Sequence, residues 1–238
     1  YMRTERMEKR RFDKILLDVD GTLLDFNSSE RQGMKIVLSH YGIEPKEKHL
    51  QLYHQINQEA WSNFEQGRVT KERLLTERFE RFFGLLGKQV DGQEAENLYR
   101  AQLDKSAFLI DGALELCAWL KERYDLYIVT NGTSSTQYKR LAASGIDAYV
   151  KDIFVSEDAG SQKPQKEYFD YCFSRIPDAD PARMLLVGDS LYSDIKGART
   201  AGCASCWYNP GGLEAPEDLR PDHEIRVLAE LKRILGSL

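Results

Sequence analysis

The chain has 238 residues, with 33 Lys+Arg against 38 Asp+Glu for a formal net charge of −5, and its 42% hydrophobic and 30% charged content is an ordinary globular balance. This length suits one large domain or a domain carrying a smaller insert, and the acidic excess argues against a general nucleic-acid binder. No apolar run approaches the roughly 18–20 residues that span a bilayer, and the basic N-terminus YMRTERMEKRRF lacks the apolar stretch of a secretory signal. A cytoplasmic protein with no membrane attachment is therefore expected, with the residues before about Phe12 as a tail.

The first strand is expected at residues 14–18 (KILLD), a short apolar run ending on polar residues. About a hundred residues then separate Asp20 from the end of the next strand at Thr130, far more than one crossover helix needs. That interval is helical in pattern. Met34, Val37, Leu38 and Tyr41 follow i, i+3, i+4, i+7; Leu75, Phe79, Phe82, Phe83 and Leu86 continue it, and Ala95, Leu98 and Tyr99 start another stripe. Ala113, Leu116, Cys117 and Leu120 mark the helix leading into the second strand, 126–130 (LYIVT). Beyond it come a helix at 134–144 stopped by Gly145, a strand at 153–156, a helix at 166–175, a strand at 184–188, a helix at 191–201 stopped by Gly202 and a strand at 205–208. A loop rich in Gly, Pro and acids at 210–221 precedes a closing helix at 225–235.

Strands alternating with helices imply a parallel sheet covered on both faces, and continuous apolar strands fit burial on both sides. The fold class is thus α/β, with a core of residues 12–23 and 106–238 and a helical insert at 24–105. The cysteines are Cys117, Cys172, Cys203 and Cys206. Without a secretory signal a disulfide framework is not expected. Cys203 and Cys206 lie three apart in a strand-like stretch, which places them on opposite faces as packing residues rather than as a redox pair or zinc half-site.

The chemistry gathers at strand ends, where open parallel sheets bind their ligands. The first strand runs into Asp18-Val19-Asp20-Gly21-Thr22, and the second into Thr130-Asn131-Gly132. Lys163 follows the third, and the fourth runs into GDSLYSD, with Asp189 and Asp194. Carboxylates brought to one spot repel each other unless a divalent cation sits among them, and hard oxygen donors favour Mg²⁺ over zinc. Cation, lysine and backbone amides at a glycine turn make a place for a phosphate dianion. A carboxylate in line with phosphorus can attack it, and a second carboxylate two residues on can protonate the leaving oxygen and then activate water. Any one of these residues alone reads as a helix cap; all of them in order, each after a strand, do not.

With these motifs the chain resembles the haloacid dehalogenase (HAD) superfamily over about residues 12–209. The resemblance implies a Rossmann-like core with a helical cap inserted after the first motif. It implies Asp18 as nucleophile forming an aspartyl-phosphate, Asp20 as general acid/base, and Thr130 with the amides of Asn131 and Gly132 on the phosphoryl oxygens. Lys163 would neutralise nucleophile and phosphate. Mg²⁺ would be held by Asp18, the Asp20 carbonyl and Asp189, with Asp194 either a ligand or a support and Ser190 either an assistant or a cap. The acid at Asp20 separates phosphatases and mutases of the family from dehalogenases.

The stretches IVTNGTSSTQYKRLAASGI, FVSEDAGSQKPQKEYFDY and LLVGDSLYSDIKGARTAGCASCWYN are similar to the bacterial pyrimidine 5′-nucleotidase branch, in which Gly202, Cys206, Trp207 and Asn209 match a recurring ending. The partner implied is a small-molecule phosphate monoester; oligomeric state is left open. In the cap, Trp61, Phe64 and Arg78 read as packing more readily than as substrate contacts. Two other enzymes fit the same residues, a sugar-phosphate phosphatase and a phosphomutase. A HAD-like binding protein without turnover conflicts with the intact catalytic set. A phosphoacceptor receiver domain needs only about half this length and has no place for a helical insert.

Overall fold

A computed structural model describes residues 11–236, so most of the expected N-terminal tail lies outside the described residues. The chain forms two compact units, one from the described residues up to Asp25 together with those from Phe108 onward, the other spanning Phe26–Ala107. These boundaries fall two residues later on each side than the insert read at 24–105.

The first unit holds the strands β1 (Lys14–Leu17), β2 (Asp125–Thr130), β3 (Asp152–Val155), β4 (Met184–Gly188), β5 (Ala204–Tyr208) and β6 (His223–Ile225). They form one sheet in the order β3-β2-β1-β4-β5-β6, with every pairing parallel. β1 lies between β2 and β4, with Leu16 opposite both Tyr127 and Leu186. Buried on both faces, β1 and β4 carry apolar residues without alternation, as a covered parallel strand must. Ile15, Leu17, Ile128 and Val187 pack on one face with Leu116 and Leu120 of the helix Ala113–Lys121. Leu16, Val129 and Leu186 pack on the other with Tyr168 and Phe169 of the helix Lys166–Phe173.

Cys203 belongs to the second of these clusters and Cys206 to the first, so the two thiols do lie on opposite faces of the sheet. All four cysteines are free and buried, and burial pushes each thiol up to about 12.

Three elements differ from the expected ones. Ile225 ends the edge strand β6, and the closing helix begins later, at Glu230. Only Ile225 of the three β6 residues is buried, so this strand leaves no hydrophobic run to read. The segment expected as one helix at 191–201 opens with a π-helical turn, Leu191–Ile195, before the α-helix Lys196–Ala201. Ser156 starts a helical turn, Ser156–Ala159, instead of ending β3.

The second unit packs four helices, Phe26–His40, Glu47–Glu65, Lys71–Leu85 and Gly92–Leu103, around a ring cluster of Tyr53, Phe79, Phe82 and Tyr99 with centroids 5.3–5.7 Å apart. Asp91 caps the last helix by accepting from the amides of Gln93 and Glu94. Leu74 is buried in Lys71–Leu85 and Leu75 only partly, one position from the expected stripe. Trp61 packs edge-on against Phe64, and Arg78 is buried in an ion pair with Glu96. No helix among the described residues is long and apolar enough to cross a membrane.

Candidate active site

The carboxyl ends of β1, β2 and β4 lie side by side because β1 pairs with both of the others. Asp18 extends β1 by one rung, its amide donating to the Val187 carbonyl at 3.0 Å. Lys163 is 1% exposed, and its Nζ donates to Asp18 Oδ1 (2.7 Å), Asp194 Oδ1 (2.6 Å) and the Val129 carbonyl (3.0 Å). Those three bonds use every hydrogen of the ammonium. The second oxygen of Asp18 accepts from the Thr22 hydroxyl at 3.1 Å. Asn131 braces the lysine by a reciprocal pair: its Nδ2 donates to the Lys163 carbonyl at 3.0 Å, and the Lys163 amide donates to its Oδ1 at 2.8 Å.

Two glycines make room for the acids. A Cβ on Gly21, whose φ is +83°, would sit 2.3 Å from Asp189 Oδ2, and one on Gly188 would sit 2.2 Å from Asp194 Cγ. The π-helical turn carries Asp194 inward, where its Oδ2 accepts from the Ser190 amide at 3.0 Å. Ser190 itself is a cap, its hydroxyl accepting from the Ser193 amide at 3.1 Å. Trp207 on β5 donates its indole N–H to the Asp189 carbonyl at 2.8 Å and so ties the loop that follows β4.

Asp18, Asp189 and Asp194 each bring a ligand oxygen within 4.8 Å of the others. Burial first, then the charges of Asp194 and Asp20, push Asp18 up to about 7 against the opposing pull of Lys163. Asp189 is raised as well, by burial and by the Asp18 and Asp194 charges; solvent reaches this carboxylate, so the like charges weigh more than burial. Burial works against the Lys163 ammonium, and the two flanking aspartates outweigh it and raise the lysine. Three carboxylates facing one ammonium leave two negative charges uncompensated. All the donors are hard oxygens, so the set fits a magnesium ion.

The remaining expected residues lie at the end of β2. Thr130 is buried, and its Oγ1 accepts from the Gly132 amide (3.1 Å) and from Gln137 Nε2 (2.8 Å). The Gly132 amide is therefore turned onto Thr130. Asp20 is partly exposed; its Oδ1 accepts from Arg140 Nη1 (2.5 Å) and its Oδ2 from Gln137 Nε2 (2.9 Å). Sequence reasoning passed over Gln137 and Arg140, which lie in the helix Ser134–Ser144. The available signal was their spacing: both fall on the stripe with Leu141 and Ser144 that this helix turns inward.

The sequence matches the haloacid dehalogenase-like hydrolase family over residues 12–202. The chain belongs to this family. YfnB of Bacillus subtilis, named for the same hydrolases, is 43% identical over 95% of this chain and 97% of its own. A crystal structure of YfnB bound to magnesium, reported to reveal interdomain movement, superposes with a TM-score of 0.92 over 95% of this chain and 100% of that one. The pyrimidine 5′-nucleotidase PynA of Streptococcus pneumoniae is 34% identical over 91% of this chain and 92% of its own, and YjjG of Escherichia coli, with the same activity in its name, is 30% identical over 94% and 98%.

Proposed function

We propose that this hydrolase is a Mg²⁺-dependent phosphomonoesterase that cleaves pyrimidine nucleoside 5′-monophosphates through an aspartyl-phosphate on Asp18. The observation that carries the chemistry is the buried Lys163 gripping Asp18 and Asp194 beside Asp189, with a further acid, Asp20, two residues beyond the nucleophile. The substrate class rests on two nucleotidase relatives that match over more than nine-tenths of this chain.

In this reading Lys163 fixes Asp18 by one oxygen, and the other oxygen faces phosphorus. Attack forms the acyl-phosphate bond and breaks the ester bond to the 5′ oxygen, which takes a proton from Asp20. Asp20 then removes a proton from the water that cleaves the acyl-phosphate and restores Asp18. Lys163 has no N–H left for the phosphate and acts on it as a charge. Thr130 presents its hydroxyl to a phosphoryl oxygen beside the Asn131 amide. Asp18, Asp189 and the Asp20 carbonyl would hold Mg²⁺, which when bound neutralises charge on the nucleophile and phosphoryl oxygens. Asp194, with both oxygens hydrogen-bonded, holds Lys163 in place. Four free cysteines suit a reducing, cytoplasmic compartment.

The test is phosphate release with Mg²⁺ from a panel of nucleoside monophosphates, sugar phosphates and an aryl phosphate. Preference for UMP, CMP or dTMP is expected. Preference for sugar phosphates would replace the substrate class and keep the chemistry. No release from any of them would remove both.

A further inference from the structure

Helix Ser134–Ser144 turns two long polar side chains inward, and Gln137 and Arg140 are each 1% exposed. Burying an arginine and an amide so fully is costly unless their groups are matched. Arg140 Nη1 and the Gln137 amide are bonded to each other and to two residues of the site. Arg140 Nη1 donates to Gln137 Oε1 at 3.1 Å as well as to Asp20 Oδ1. A guanidinium only donates, so this contact fixes which end of the amide faces it. Gln137 Nε2 must then point the other way, where it donates to both Asp20 Oδ2 and Thr130 Oγ1.

The consequences follow by counting lone pairs. One contact would leave the Asp20 carboxylate free to rotate about its Cβ–Cγ bond; one on each oxygen sets its plane. Each oxygen keeps a further lone-pair site for a proton in transit. Thr130 Oγ1 accepts from Gly132 and from Gln137, which fills its two acceptor sites and aims its own hydrogen elsewhere. A separate observation shows that the chain makes space for this arrangement: a Cβ on Gly132 would lie 2.5 Å from Gln137 Cδ.

We propose that Gln137 and Arg140 are positioning residues that set the Asp20 carboxylate and the Thr130 hydroxyl as one unit, aligning the proton donor with the leaving oxygen. This rests on the phosphatase reading above.

The test compares kcat/KM of the Mg²⁺-loaded full chain on a pyrimidine nucleoside monophosphate and on 2,4-dinitrophenyl phosphate. The first leaving group needs a proton and the second does not, and kcat/KM reports only the steps through bond cleavage. Gln137→Met, close in volume but without the N–H groups, and Arg140→Met are measured beside Asp20→Asn, which sets the pattern for loss of the acid. The expected result is a loss on the nucleotide exceeding the loss on the aryl ester by about thirtyfold, with Arg140→Lys recovering part of it. Equal losses on the two substrates, or no loss on either, would overturn the proposal. If Arg140→Met does not fold by circular dichroism, Gln137→Met decides alone. A wild-type protein inactive on both substrates would instead sink the phosphatase reading, and this inference with it.

Discussion

Both units bury charge, and they do so in opposite ways. In the helical unit Arg78 donates to Asn57 Oδ1 at 2.7 Å and to Glu96, and Arg100 donates to Glu96 Oε1 at 2.7 Å. Asn57 donates in turn to Glu30 Oε2 at 2.6 Å, and His54 Nδ1 lies 2.6 Å from the other oxygen of Glu30. Both guanidinium groups pair with Glu96 while Glu30 is held by Asn57 and His54, so two positive and two negative groups balance within the network. At the end of the sheet one ammonium faces three aspartates, and the charges do not balance. A balanced buried network is what packing alone can produce; an unbalanced one leaves a charge that a bound cation would neutralise. The contrast separates structure from function where burial alone would not.

The contrast can be broken in four ways. The largest effect belongs to Asp18→Asn: turnover should fall by at least about a thousandfold while the far-ultraviolet circular dichroism spectrum is unchanged. Retained activity would put the nucleophile elsewhere. Next comes Arg78→Met, which strands the buried Glu96 with Arg100 alone. Urea denaturation should show a loss of about 3–5 kcal/mol, and a neutral result would mean that the helical network is not a matched set.

Magnesium comes third. At about a hundred times its dissociation constant it should stabilise the wild-type protein by about 2.7 kcal/mol, and Asp189→Asn should lose most of that gain in the same melt. In EDTA the sign should reverse, because the variant sheds one of three like charges; a rise of about 2–4 °C in Tm is expected. If Asp189→Asn behaved like Arg78→Met, losing stability without the ion, the distinction between the networks would collapse. The smallest effect is none at all: dithiothreitol should change neither Tm nor activity, because Cys203 and Cys206 sit in different clusters.

What could be read in the sequence followed from how each residue is buried. The strand ends were legible because β1, β2 and β4 are runs of apolar residues that stop abruptly at acids, Thr or Gly. The edge strand β6 was not, since one buried residue makes no pattern. The pattern does not separate Leu75 from Leu74, because both are leucines on neighbouring positions of one helix and only packing selects between them. The helix Glu47–Glu65 shows no clean apolar stripe, because Tyr53, Ile56 and Asn57 mix ring, aliphatic and amide on its inner face. Gln137 and Arg140 were hidden for a related reason. Polar side chains on a helix read as solvated until their partners, Asp20 and Thr130, arrive from other parts of the chain.

The strand order also governs how the site survives thermal motion. β1 carries Asp18 and is shielded by two strands on its β2 side and three on its β4 side, whereas β6 ends the sheet with three residues. Edge strands open by local fraying; a doubly paired central strand opens only when the sheet does. The amides of Leu16 and Leu17 should therefore be among the slowest in the molecule to exchange with deuterium, and that of Ile225 among the fast ones. Asp18, the proposed nucleophile, sits where the fold loosens last, away from breathing at the rim.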